Sequence, residues 1–338
     1  MFRWVKTRPH VVAYATAAWS LLYGLAGAYW ALGGDGYPFA KVDDDHSSAS
    51  LLEPSRAAVV GPFIAAIGIA GAVLAVVMAK RPAKKWWLVL AWIQAGVFGL
   101  LIPDYTLLAV VAFSPLLIVF AFTGVPGPQD GIGDILYWHR VNLILVFVWG
   151  ALWALTAVTA GRTKVRRVPY ARAARIGRIA VWVSLAATIP YDTTRLAWYF
   201  GWPLGITDDF LKMMQDTPGM LEIGLGLAAA SAVGALLTHG LVARWGEVWP
   251  RWVFWRAGRP IHPLTAVIPA GIVAIAVIPA GLMGVRMIPE WENWGTTMPA
   301  TLFAVWGMAL GTAAWAYWVR RTGDRPELAT PEKEAATR

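Results

Sequence analysis

Asp192 and Arg195 stand three residues apart in an apolar stretch, so on a helix they share one face. Ionisable side chains among apolar residues are costly and usually face a bundle interior or a cavity. A carboxyl group in such a place can serve as an acid, with a nearby arginine to orient it. The same two residues also make a self-neutralising ion pair that staples helices together. Other charged groups occur at similar places. Asp104 follows Pro103, and Glu222 sits in the first turns of an apolar run. His139 and Asn142 lie at i,i+3 with Arg140 between them, and Arg286 and Glu290 close another run. Asp192, Asp104 and Glu222 are the candidate acids. Arg195, His139, Arg140, Asn142 and Arg286 are the candidate ligand-binding groups.

Tryptophan is the second chemical signal, with 21 Trp against 12 Phe and 10 Tyr. Trp149 and Trp153 share a helix face at i,i+4, and with Trp306 and Trp198 they are expected to form an aromatic wall. Ring faces attract positive charge, which suits a cationic ligand or a carbocation. Core packing explains the same residues without a ligand. Trp86, Trp87, Trp245, Trp249, Trp252 and Trp255 border basic segments and read as anchors at the membrane surface. Trp245, Trp249 and Trp252 fall on one face of an expected short interfacial helix. Asp43-Asp44-Asp45-His46 reads as a solvated acidic loop, so no metal site is expected. His239 and His262 fall at a helix end and in a basic loop, with no pairing that suits haem. There is no cysteine, phosphate-binding glycine loop, zinc-protease helix or nucleophile elbow. No cofactor is expected.

The chain around these residues is 338 residues long, 58% hydrophobic and only 14% charged. Its apolar residues fall in runs long enough to cross a bilayer as helices. Eight spans are expected: Val11–Leu32, Ala57–Ala79, Trp87–Phe113, Tyr137–Ala160, Ile179–Phe200, Pro218–Val242, Leu264–Val285 and Met298–Val319. The first is too long for a signal-peptide core and reads as a retained helix. The net charge of +9 is concentrated at the N-terminus, in Lys80–Lys85, Arg162–Arg178 and Arg244–Arg259, and after Val319. This alternation places both termini in the cytoplasm of a plasma-membrane protein. Anionic lipid is then the partner of the basic loops, and nucleic acid is not. A hairpin within Trp87–Thr123 would give nine spans and put the later basic loops outside. We therefore expect one helix kinked at Pro103, then a short outer segment, Ser114–Thr123.

The halves resemble each other in order. Tyr29-Trp30-Ala31-Leu32-Gly33 answers Ala197-Trp198-Tyr199-Phe200-Gly201. Gly71-Ala72-Val73-Leu74 answers Gly234-Ala235-Leu236-Leu237, and Ala95-Gly96 answers Ala270-Gly271. Val148-Trp149-Gly150 answers Val305-Trp306-Gly307. The expected fold is an all-α integral membrane protein of two parallel four-helix repeats. Repeat 1 covers 1–160 with an insertion at 114–136, and a basic linker covers 161–178. Repeat 2 covers 179–321, and a disordered cytoplasmic tail covers 322–338. On this match Asp192 and Arg195 fall opposite Gly24 and Gly27, and Glu222 falls opposite Val59. The charges sit where the halves differ.

The segments Tyr29-Trp30-Ala31-Leu32-Gly33-Gly34, Leu196–Gly205 and Arg244–Trp252 resemble those of uncharacterised multi-pass membrane proteins common in actinobacteria. That resemblance implies a multi-pass membrane fold and no particular activity.

Three functions fit these residues. The first is a membrane-embedded enzyme acting on an apolar small molecule, such as acid-initiated, terpene-cyclase-like closure of an isoprenoid in an aromatic, charged cavity toward the extracytoplasmic side. The second is a small-molecule transporter or exporter that uses the same charges as a gate or proton relay. The third is a non-catalytic membrane interaction protein.

Overall fold

The computed structural model describes residues 9–41, 50–123, 136–161, 168–251, 253–286 and 291–323. The described residues form helices joined by short connections, with one isolated bridge between Val248 and Pro260. The chain divides into two compact units, Met1–Lys164 and Val165–Arg338.

The first unit contains α1 (Pro9–Ala31), α2 (Ala57–Lys80), α3 (Lys85–Gly96), α4 (Thr106–Thr123) and α5 (Trp138–Ala160). Glycines set its tightest seam. A Cβ on Gly27 would stand 2.7 Å from the Ala65 nitrogen, and one on Gly68 would stand 2.5 Å from the Gly24 Cα. Small residues thus bring α1 and α2 together backbone to backbone, as lipid-embedded helices require. Along its other face α1 bonds to α5. Thr16 Oγ1 lies 2.8 Å from Thr156 Oγ1, Trp149 Nε1 donates to Ser20 Oγ at 2.8 Å, and Tyr23 donates to Asn142 Oδ1. Asn142, Trp149 and Thr156 recur at seven-residue spacing, so they lie on one face of α5. α3 packs on α5, where Gly150 meets Gly99.

The expected third span is broken. α3 runs into a π-helical turn at Val97–Leu101, and the chain then bends by 65° before α4. Pro103 cannot donate a backbone hydrogen bond, which favours the break here. The second piece is a continuous helix from Thr106, not a short segment from Ser114.

The second unit contains α6 (Tyr170–Tyr199), α7 (Asp208–Asp216), α8 (Met220–Gly240), α9 (Pro263–Arg286), α10 (Trp294–Thr301) and α11 (Phe303–Thr322). α6 packs along α8 and α11, and α9 packs on α11. There Gly307 meets the backbone of Ala274. α6 starts at Tyr170, so much of the expected basic linker is helical. α7 was not foreseen. It is capped by Thr207, whose side chain accepts from the Phe210 nitrogen at 3.2 Å.

Among the described residues six helices are long and apolar enough to cross a membrane, and the bent pair α3–α4 makes a seventh if it forms one span. α6 is not among them, because Asp192, Arg195 and the basic residues of its first turns lower its apolarity.

The expected interfacial helix bearing Trp245, Trp249 and Trp252 is not formed. Only Arg244–Gly246 make a 3-10 turn, and Pro250 lies too close behind for a helix to continue. The segment folds back instead, with the Trp249 nitrogen donating to Arg259 and the Ile261 nitrogen to Glu247. α11 clamps it: Arg320 and Arg321 lie 3.4 and 3.9 Å from the Glu247 carboxylate, and Tyr317 donates to the Gly246 carbonyl at 2.7 Å. Trp252 lies outside the described residues.

Candidate functional site

Asp192 and Arg195 share a face of α6 but do not pair. Asp192 Oδ2 accepts from Ser231 Oγ of α8 at 3.1 Å. Its Oδ1 is buried and has no hydrogen-bond partner among the described residues. Arg195 turns toward the start of α10, where it donates to the Gly295 and Thr296 carbonyls at 3.1 and 3.3 Å. Its guanidinium lies 4.3 Å from the Tyr191 ring centre and 4.4 Å from that of Trp198. The expected ion-pair staple is therefore absent. Each charged group has its own anchor, because the α6–α8 seam offers a hydroxyl and the first turn of α10 offers carbonyls.

The arrangement leaves a carboxyl group bonded to the Ser231 hydroxyl with the Thr188 hydroxyl beside it, and one oxygen, Oδ1, that no donor among the described residues reaches. Such a group can carry a proton or bind one. Among the described residues it makes no ion pair. Arg195 does not orient it; Ser231 does. Trp198, expected on the aromatic wall, lends its ring face to Arg195 and donates its indole nitrogen to the Leu204 carbonyl at 3.0 Å.

The other expected site residues are dispersed. Asp104 is almost fully buried and accepts from the Thr106 nitrogen at 2.8 Å, so it caps the start of α4. Glu222 is exposed in the first turn of α8, where the helix dipole favours an acid. Arg140 stacks over Tyr137 at 4.9 Å and donates to the Tyr105 hydroxyl, while His139 lies against the Tyr137 ring. Asn142 is fully buried under Tyr23. Arg286 closes α9, and Glu290 lies outside the described residues.

Trp149 and Trp153 are core residues, 1% and 0% exposed. Trp149 is stacked on Phe98 at 3.8 Å and lies against Tyr23 at 5.0 Å. Both its faces are occupied, so it packs the first unit rather than lining a wall there. Trp306 is half-buried in the second unit and borders a cavity of about 350 Å³ between α8 and α9, with Trp245 and Trp249. A cavity of about 620 Å³ lies between α2 and α3 of the first unit, lined by Trp86, Trp87 and Gln94 among apolar residues.

Among the described residues no group of three or more His, Asp or Glu side chains could hold a metal ion. The Asp43–His46 run lies outside them. Sequence reasoning missed Ser231 and Gln94. Both are uncharged, so neither stands out among apolar residues as a charge does. The signal available was a hydroxyl and an amide standing alone in apolar runs.

These features define an all-helical protein with several helices built to cross a bilayer. No known protein family matches the chain, and neither a curated protein nor a solved structure matches it.

Proposed function

We propose that the chain is an eight-span plasma-membrane protein of two parallel four-helix repeats that acts on an apolar small molecule, with Asp192 as its acid. The eight spans are the six long apolar helices, the bent α3–α4 pair and α6. The charge alternation keeps both termini cytoplasmic.

The helix pairings support the repeat. In each unit the first helix packs on the second and the fourth, and the third packs on the fourth. Matched residues meet in matched ways: Gly150 on Gly99, Gly307 on Ala274. On the same match Ser231 falls opposite Gly68, so the Asp192–Ser231 bond replaces the Gly24–Gly68 contact.

The observation that carries the reading is the Asp192 carboxyl, bonded through one oxygen only and unpaired with Arg195. Protonated, it can give its proton to an alkene carbon of an isoprenoid. The alkene electron pair forms the new C–H bond, a second alkene attacks the resulting cation, and loss of a proton to the Asp192 carboxylate ends the sequence and restores the acid. Ser231 holds the carboxyl in place. A transporter is the second reading, favoured by the divergence of α2 from α3 and of α8 from α9 around their cavities.

The test compares organic extracts of membranes carrying the wild type and Asp192→Asn. Asparagine can still accept from Ser231, so the fold should persist. Loss of a product with unchanged thermal unfolding supports the enzyme. Loss of flux of an unaltered molecule supports the transporter. An unchanged extract and unchanged flux would sink both.

A further inference from the structure

The crevice of the first unit is apolar along its whole length but for one side chain. Ile67, Leu74 and Val77 of α2 face Trp86, Leu90 and Ile93 of α3 across about 620 Å³. That volume is in the range of small-molecule sites. Gln94 stands among them, about 15 Å along the helix from the basic loop at Lys84. Its Oε1 is buried and accepts no hydrogen bond from any described residue. A buried acceptor without a donor is expensive, and more so where no water reaches it. Gly71 keeps the space before it open, since a Cβ there would come within 3.1 Å of Oε1.

A lipid acyl chain would fill the crevice and leave this acceptor unsatisfied. The geometry points to a lipophilic alcohol as the occupant: an apolar chain lies between α2 and α3, and its hydroxyl donates to Gln94 Oε1. On the repeat match Pro269 stands where Gln94 does, and it borders the cavity of the second unit. The amide therefore belongs to one crevice alone. This site is separate from Asp192, lies in the other unit, and does not depend on proton transfer there.

The test is binding of radiolabelled farnesol to the detergent-purified full chain, competed by farnesene, a hydrocarbon of the same carbon skeleton. The wild type is expected to bind farnesol about tenfold more tightly than farnesene, the worth of one hydrogen bond to an otherwise unsatisfied group. Gln94→Leu should remove that preference by weakening farnesol alone. Asp192→Asn should leave both affinities unchanged, so this site and the proposed acid succeed or fail separately. Equal binding of the two probes by the wild type, binding of neither, or a preference that survives Gln94→Leu overturns the proposal.

Discussion

Asp192 bonds to Ser231 across the α6–α8 seam, whereas Gly24 and Gly68 touch backbone to backbone across the α1–α2 seam. On the proposed repeat these are one packing position in two chemical forms. Where glycines meet, two helices are glued by close approach. Where a carboxyl and a hydroxyl meet, the seam holds an ionisable group bonded across it.

The Asp192–Ser231 bond should be measurable as a coupling. Ser231→Ala should lower stability by about 0.6 kcal/mol, and by no more than about 1.7, the range for hydrogen bonds between membrane helices. In an Asp192→Ala background it should cost nothing further. A double-mutant cycle of unfolding in mixed micelles checks this; additive effects would show that the two residues do not interact.

Gly27 has no room for a side chain, because a Cβ would stand 2.7 Å from the Ala65 backbone, whereas Gly224 has nothing within 4 Å. Gly27→Leu should destabilise the first unit by about 1–3 kcal/mol through overpacking. Gly224→Ala should raise helix stability by up to about 1 kcal/mol. Thermal unfolding of both variants separates close approach from mere glycine content.

Arg195 uses its planar guanidinium twice, in stacking on Tyr191 and Trp198 and in bonding two carbonyls. Lysine matches neither geometry. Arg195→Lys should speed amide hydrogen exchange at 294–301 nearly as much as Arg195→Ala does. Protection restored by lysine would mean that charge alone anchors α10.

Glu247 joins the folded segment after α8 to Arg320 and Arg321 of α11. Glu247→Gln should expose 244–262 to proteolysis, with a stability loss of about 1 kcal/mol or less because the pair is partly solvated. High salt should weaken the wild-type clamp in the same direction.

The chain lacks cysteine, so single cysteines report topology cleanly. Lys84→Cys and Arg251→Cys should react only from the cytoplasmic side, and Gly36→Cys and Trp202→Cys only from the other. Labelling of positions 84 and 251 from opposite sides would overturn the eight-span arrangement.

Apolar runs and their turn residues were legible in the sequence, because a helix in lipid must satisfy its own backbone bonds and needs a minimum apolar length. α1, α2, α5 and α9 follow those runs to within a few residues. The break after α3 was legible at Pro103, but its extent was not, since a π turn and a 65° bend depend on what the helix meets. Residue types that can do chemistry were equally visible. Asp104 illustrates the limit: its charge singled it out, but that its Oδ1 accepts from the Thr106 nitrogen at the start of α4 was not legible.

The sequence by itself determined the all-helical character, the places of the long apolar helices and the candidate acids, because length, hydropathy and charge act locally along the chain. Only the tertiary structure decided the partners. It put Ser231 opposite Asp192, turned Arg195 to carbonyls, occupied both faces of Trp149 and left Gln94 alone in its crevice. Spacing along a helix states which residues share a face. Which neighbour that face meets is set by how closely the backbones approach, and that depends on contacts between residues far apart in the chain.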